Sequence, residues 1–165
     1  MRKLISFLLY IILMSNSSEK LFAQENQVGV SGIKSVTLRL RPGQDLKAEI
    51  DSFISKNRIE AACVLACVGS LQEIAIRYAD QKETSFEKRK FEIVSLTGTL
   101  SISGSHLHIS VSDSTGKTTG GHLKEGSIVY TTAEIVIGIM PDLKYTREID
   151  STYGYRELRV NKINE

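Results

Sequence analysis

All three histidines of the chain fall between positions 106 and 122: His106, His108 and His122. In the stretch Ser105-His-Leu-His-Ile-Ser-Val-Ser112, Leu107, Ile109 and Val111 alternate with His106, His108, Ser110 and Ser112. Alternate residues of a strand share a face, so the two imidazoles stand side by side, about 6–7 Å apart at Cα. Both can therefore reach one ion at about 2.0–2.1 Å, the usual zinc–nitrogen distance. His122 follows Gly120-Gly121, where the backbone can bend and approach closely. If 106–112 and the segment opening at 122 form a hairpin-like return, His122 comes back over the pair. Three neutral imidazoles with an open fourth position describe a catalytic type of zinc site. The same three residues could instead hydrogen-bond in a cleft or at a subunit contact. His106, His108 and His122 are thus the candidate metal ligands. Zinc is the candidate ion, because it suits neutral imidazoles and needs no redox chemistry.

A carboxylate near such an ion could act as general base. Ala133, Ile135 and Ile137 form an apolar row that leaves Glu134 on the face with Thr132, which makes Glu134 the candidate catalytic residue. Glu92 precedes an apolar run, and Arg147 and Glu148 stand in Thr146-Arg-Glu-Ile-Asp150. Each of these also reads as a surface or structural ion pair.

The elements that must position these residues follow from periodicity. Residues 35–41 alternate as a half-buried strand, and Pro42-Gly43 ends it. Leu46, Ile50, Phe53 and Ile54 fall on one helical face with Asp45 as N-cap, which predicts a helix over 45–56. Residues 59–68 are almost continuously apolar and read as a central strand covered on both faces. Gly69-Ser70 is expected to turn the chain into a further strand over 71–78, and 80–90 to be a solvated loop. Strands are expected over 91–102 (interrupted near Gly98), 106–112 and 128–139, with a Ser/Thr/Gly loop over 113–121 and two short closing strands, 145–150 and 155–160. One helix amid alternating strands gives an α+β domain on a mainly antiparallel sheet. Its edges need covering, and partner subunits are one way to cover them.

With 165 residues, 41% hydrophobic and 24% charged, the chain is one globular domain, too apolar to be disordered. Met1-Arg2-Lys3 and an apolar run over 4–14 read as a secretory signal, too short to span a membrane, with cleavage after Ala23. The expected layout is therefore a signal peptide over 1–23, a flexible lead-in over 24–33 and a domain over 34–161. The protein would then be exported to the periplasm or the exterior, with no membrane contact once cleaved. The formal charge of +2 belongs to the leader, and the mature chain balances eighteen basic against eighteen acidic residues. Nucleic-acid binding draws on an excess of Lys and Arg, so that balance argues against a DNA partner. Cys63 and Cys67 are expected on one face of a strand, about 13 Å apart, too far for a disulfide. They read as two buried apolar side chains.

Several motifs in order resemble the PPC domain family (plants and prokaryotes conserved domain, DUF296). They are Leu40-Arg-Pro-Gly43; Val68-Gly-Ser70 with Ile76-Arg77; Phe91-Glu-Ile-Val-Ser-Leu-Thr-Gly98; Gly104-Ser-His-Leu-His-Ile-Ser-Val-Ser-Asp113; Gly120-Gly-His-Leu123; Thr131-Thr-Ala-Glu-Ile-Val136; and Arg147-Glu-Ile-Asp150. The resemblance implies an α+β domain in a homotrimer; if the chain is such an assembly module, removing the hydrophobics Ile93 and Leu96 is expected to cost the trimer. In plants the domain accompanies AT-hook motifs that contact DNA, but no Arg-Gly-Arg-Pro hook is present here. The fold is also similar to that of α-acetolactate decarboxylase, a zinc enzyme in which a His-x-His pair and one later His hold the ion; His106, His108 and His122 match that order. The expected function is a trimeric module that binds a small ligand or a metal. The alternative is a zinc-dependent lyase or hydrolase acting on a small oxygen-rich substrate, with DNA binding as in the plant relatives a further alternative.

Overall fold

The computed structural model describes residues 28–152 and 154–163. The signal peptide read at 1–23 lies outside the described residues. The elements are β1 (Lys34–Leu40), α1 (Leu46–Lys56), β2 (Ala62–Arg77), β3 (Ser85–Glu87), β4 (Phe91–Leu100), β5 (His106–Ser112), β6 (Thr118–Leu123), β7 (Ile128–Ile139), β8 (Leu143–Ile149) and β9 (Arg156–Lys162). Among the described residues this is the expected single α+β domain, with one helix and antiparallel pairing throughout.

The main sheet runs β1-β7-β2-β4-β5-β6, with β3 on β2. Its far edge does not stay open, because the end of β2 pairs with β6 through Ile76↔Leu123 and Arg77↔His122. Strands β2, β4, β5 and β6 thereby close on themselves, which satisfies edge hydrogen-bonding groups within one chain. The inner face carries Leu71, Ile76, Leu107, Val111, Leu123, Ile135 and Ile137, all buried. Helix α1 lays Leu46, Ile50 and Ile54 onto the same core. Each such side chain contributes about 1.5–3 kcal/mol on burial. Asp45 caps the helix as expected, its carboxylate accepting from the Ala48 N–H at 3.0 Å. The β8–β9 hairpin forms a second, smaller sheet that packs Leu143 and Tyr145 against Ala61. In the lead-in, Ser31 Oγ donates to Asp142 Oδ2 at 2.9 Å.

Several local expectations are corrected. Residues 59–78 are not two strands with a turn at Gly69-Ser70, because β2 is one 16-residue strand. Gly69 sits at φ 141°, where a Cβ would overlap the Thr132 carbonyl oxygen, so its role is close approach to β7 and not a turn. Bulges between Val64 and Ala66 and between Gly69 and Leu71 let this long strand bend. The first bulge also shifts the side-chain phase. Cys67 joins the core while Cys63 stays half-buried, so the two thiols do not share a face. Burial pushes the Cys67 thiol up to about 12, as befits an inert apolar side chain.

Nor is β2 covered on both sides, since Leu65 and Val68 are 50% and 59% exposed. In β4, a bulge between Ile93 and Ser95 puts Ile93 and Leu96 together in the core. The residue presented outward is Val94, and Ile93 and Leu96 pack in the chain's own core. The charged loop over 80–90 contains β3, which pairs with β2 at Ala75↔Phe86. Strand β4 passes Gly98 without a break, and β6 begins at Thr118, inside the stretch read as a loop.

Candidate metal centre

Strand β5 places two of the three imidazoles as its alternation dictates. Leu107, Ile109 and Val111 enter the core, while His106 is half-buried and His108 exposed on the other face. The third imidazole arrives by hairpin. Asp113 closes the turn after β5, its Oδ1 accepting from the Thr115 N–H at 2.9 Å, the Thr115 hydroxyl at 2.6 Å and the Lys117 N–H at 3.1 Å. The Thr115 hydroxyl first, and the backbone donors after it, hold that carboxyl at about 2. The resulting register sets His108 directly opposite His122. The glycine pair does not bend the chain there, since both residues lie within β6. Gly120 and Gly121 instead permit close approach: a Cβ on Gly120 would stand 2.5 Å from the Ile109 carbonyl oxygen, and one on Gly121 2.8 Å from that of Arg77.

The rings converge. His106 Nε2 is 3.2 Å from His108 Nε2, and His122 Nδ1 is 3.3 Å from that same nitrogen. Ring centroids are 4.7–5.2 Å apart, and one ligand atom from each ring lies within 4.8 Å of the others. Ligands about 2.0–2.1 Å from a tetrahedral ion stand about 3.3–3.4 Å from one another. Two of the three edges already have that length, so the donor set fits a small divalent ion. The protonation state suits the same role. Burial first, then the Arg147 guanidinium, holds His106 below the usual imidazole range. Burial, then His106 and Arg77, pushes His122 down to about 4. Metal binding requires neutral imidazole; His122 stays neutral well below pH 7, and the shift of His106 favours the same neutral form.

Other elements wall the site. Strand β4 sets Thr99 opposite His106 and Thr97 opposite His108. The end of β2 contributes Arg77, and β8 contributes Arg147, whose Nη2 donates to Thr99 Oγ1 at 2.8 Å and whose Nη1 stands 3.5 Å from His106 Nδ1. A cavity of about 370 Å³ opens beside His106 and His122, with Ser105, Arg147 and Glu157 in its wall. Arg147, read from sequence as a surface or structural ion pair, belongs to this site. Its neighbour Glu148 points elsewhere and pairs with Arg159 at 3.3 Å. Glu134 is exposed on β7, opposite Arg39 and Val68, and lines neither cavity at the histidines. Glu92 sits opposite Ser70 and Ser112, at the other end of β5 from His106. Sequence reasoning missed Ser105, Thr99 and Glu157, and it gave Arg77 no role. The available signal was Arg77 itself, a cation directly after the apolar Ile74-Ala-Ile76.

Residues 28–141 match the Plants and Prokaryotes Conserved (PCC) domain. The chain belongs to this family. Outside the family's own description, this PCC domain is similar to a hypothetical protein of Salmonella enterica, with 40% identity and a TM-score of 0.80 over 82% of this chain and 98% of that one. It is also similar to a metal-containing protein of Archaeoglobus fulgidus, with 25% identity and a TM-score of 0.67 over 80% of this chain and 98% of that one. The bifunctional protein GlmU of a Synechococcus strain is 44% identical over 128 residues, 78% of this chain and 21% of that protein. The chain therefore spans about a fifth of the length of the curated relatives it matches. Two neighbours at 18% and 20% identity, from Bacteroides thetaiotaomicron and Ralstonia eutropha, are described as candidate DNA-binding proteins and share the fold alone.

Proposed function

We propose that this PCC domain is an exported, trimeric metal-binding module whose ion, zinc, is held by His106, His108 and His122. The observation that carries the reading is the pair of nitrogen separations, 3.2 and 3.3 Å, meeting at His108 Nε2. The metal-containing relative from Archaeoglobus supports it. Support for assembly comes from Leu65, Val68 and Val94, large apolar residues exposed on the outer side of adjacent strands β2 and β4. Zinc titrated calorimetrically into metal-free protein is expected to bind at one site per chain. His122→Ala is expected to weaken that binding by about a hundred-fold or more, since structural zinc affinity is carried by its few ligands. Weak binding unaffected by His122→Ala would contradict the reading.

A second reading, a zinc-dependent lyase or hydrolase on a small oxygen-rich substrate, is favoured by the cavity at the imidazoles. Bound there, the ion would supply a Lewis acid. The residues lining that cavity would bind and orient the substrate, and among the described residues its lining carboxylate is Glu157 rather than Glu134. DNA is not the partner we propose, because the mature chain has no excess of cationic residues to release counterions.

A further inference from the structure

The cavity beside the imidazoles is built for more than an open coordination position. Arg77, Arg147 and Arg156 line it against a single carboxylate among the described residues, Glu157, for a net charge of +2 with the histidines neutral. Among the described residues none of the three arginines is in an ion pair. Their hydrogen bonds go to neutral acceptors: Arg77 Nη1 to the Gln81 carbonyl at 3.1 Å, and Arg147 Nη2 to the Thr99 hydroxyl. Two residues of the cavity wall each carry a buried polar atom without a hydrogen-bond partner, Arg147 Nε and Ser105 Oγ. Native structures rarely leave such atoms unsatisfied; a water, an ion or a bound molecule supplies the partner. A guanidinium and a hydroxyl lining one cavity are both donors suited to carboxylate or phosphate oxygens.

The ion and the cavity are also linked through one ring. A guanidinium only donates, so its contact at 3.5 Å requires His106 Nδ1 to accept. An ion on Nε2 places the ring proton on Nδ1. With an ion held there, Arg147 would lose that acceptor and direct its Nη1–H to an anion instead.

We propose that this cavity binds a small organic dianion, a dicarboxylate or a phosphate monoester. Arg147 and Ser105 hold one oxyanion, and Arg77 and Arg156 supply the remaining positive charge. Its volume, about 370 Å³, is that of a small-metabolite site. The proposal goes beyond the metal reading, and only the tightening by zinc rests on it.

The test is calorimetric titration of the full chain, metal-free and zinc-loaded, with succinate and with glycerol 3-phosphate, against the neutral succinamide and glycerol. One dianion is expected to saturate at one per chain in the metal-free protein and more tightly in the zinc-loaded one, and its neutral counterpart to give no saturable heat. The tighter of the two dianions identifies the chemistry. Arg147→Gln is expected to weaken binding by about ten-fold or more, the loss of a charge-assisted hydrogen bond. Ser105→Ala is expected to weaken it without lowering the melting temperature, because it removes a buried hydroxyl that has no partner. Saturation by neither dianion would overturn the proposal, as would equal binding of the neutral counterparts. So would Ser105→Ala and Arg147→Gln proteins that stay folded and bind as the parent does. Dianion binding that persists where zinc does not bind would remove the metal reading and leave this one standing.

Discussion

His108 and His122 face each other directly across the β5–β6 ladder, Nε2 to Nδ1 at 3.3 Å. Directly opposed residues of an antiparallel pair hold their Cβ atoms about 4.5–5.5 Å apart, so two imidazoles at such a pair meet without strain. The second histidine of β5, His106, joins from the same face one alternation away. The site is thus a property of sheet register, and whatever fixes the register fixes the site.

Strand packing under His106 is the first place to test this. Gly98 lies opposite Leu107 at φ 146°, and a Cβ there would overlap the His106 carbonyl oxygen. Gly98→Ala is expected to destabilise the domain by about 2–4 kcal/mol, because both the backbone conformation and the space are denied. Urea unfolding measures the loss. A change below about 0.5 kcal/mol, the size of an ordinary surface substitution, would mean that β4 does not constrain β5 there.

The pH dependence of the metal-free protein follows from the two depressed histidines. His122 titrates near 4 when folded against 6.5 in the unfolded chain, and His106 is shifted in the same direction. Between those values the unfolded chain binds more protons, so stability rises with pH. The contribution is complete above pH 6.5 and is lost as pH falls toward about 4. Denaturant midpoints taken across this window should decline on acidification, and His122→Asn should flatten the decline. A flat profile in the parent protein would show that the rings are not desolvated as described.

The outward apolar residues predict assembly. Leu65→Glu with Val68→Glu is expected to convert a trimer into monomers with α1 and the core intact, since both side chains are on the exposed side of β2. Sedimentation velocity reads the change. A parent protein that is already monomeric at micromolar concentration would contradict the trimer.

Charge predicts the outcome with DNA. A retention assay at about 0.15 M salt should show no shifted band, because binding without excess cations is weak at that ionic strength. A salt-dependent shift lost on Arg156→Ala would instead place nucleic acid at the cavity rim.

Much of this was legible in the sequence wherever a period of two or 3.6 ran uninterrupted. Helix α1, with Asp45 at its cap, and strand β7 over Ile128–Ile139 follow from such patterns, and so do the facing of His106 and His108. Bulges defeated the reading elsewhere. One extra residue near Leu65 moves Cys63 and Cys67 onto different faces, and another near Val94 reverses which hydrophobics of β4 point outward. Glycines misled in one direction. Gly69, Gly98, Gly120 and Gly121 read as turns or breaks, yet they sit in continuous strands where a neighbouring backbone or side chain approaches closely. The arginines and Ser105 reach the cavity only through tertiary placement of β2, β8 and the segment before β5, which local periodicity does not encode.

The central claim is that three imidazoles hold one ion, and metal content tests it most directly. Protein purified without a histidine tag or chelators should carry about one zinc per chain by elemental analysis, and the His108→Ala protein almost none, because His108 Nε2 is the nitrogen that both other rings approach. Fewer than about 0.2 ions per chain in the parent protein, unchanged by His108→Ala, would contradict it.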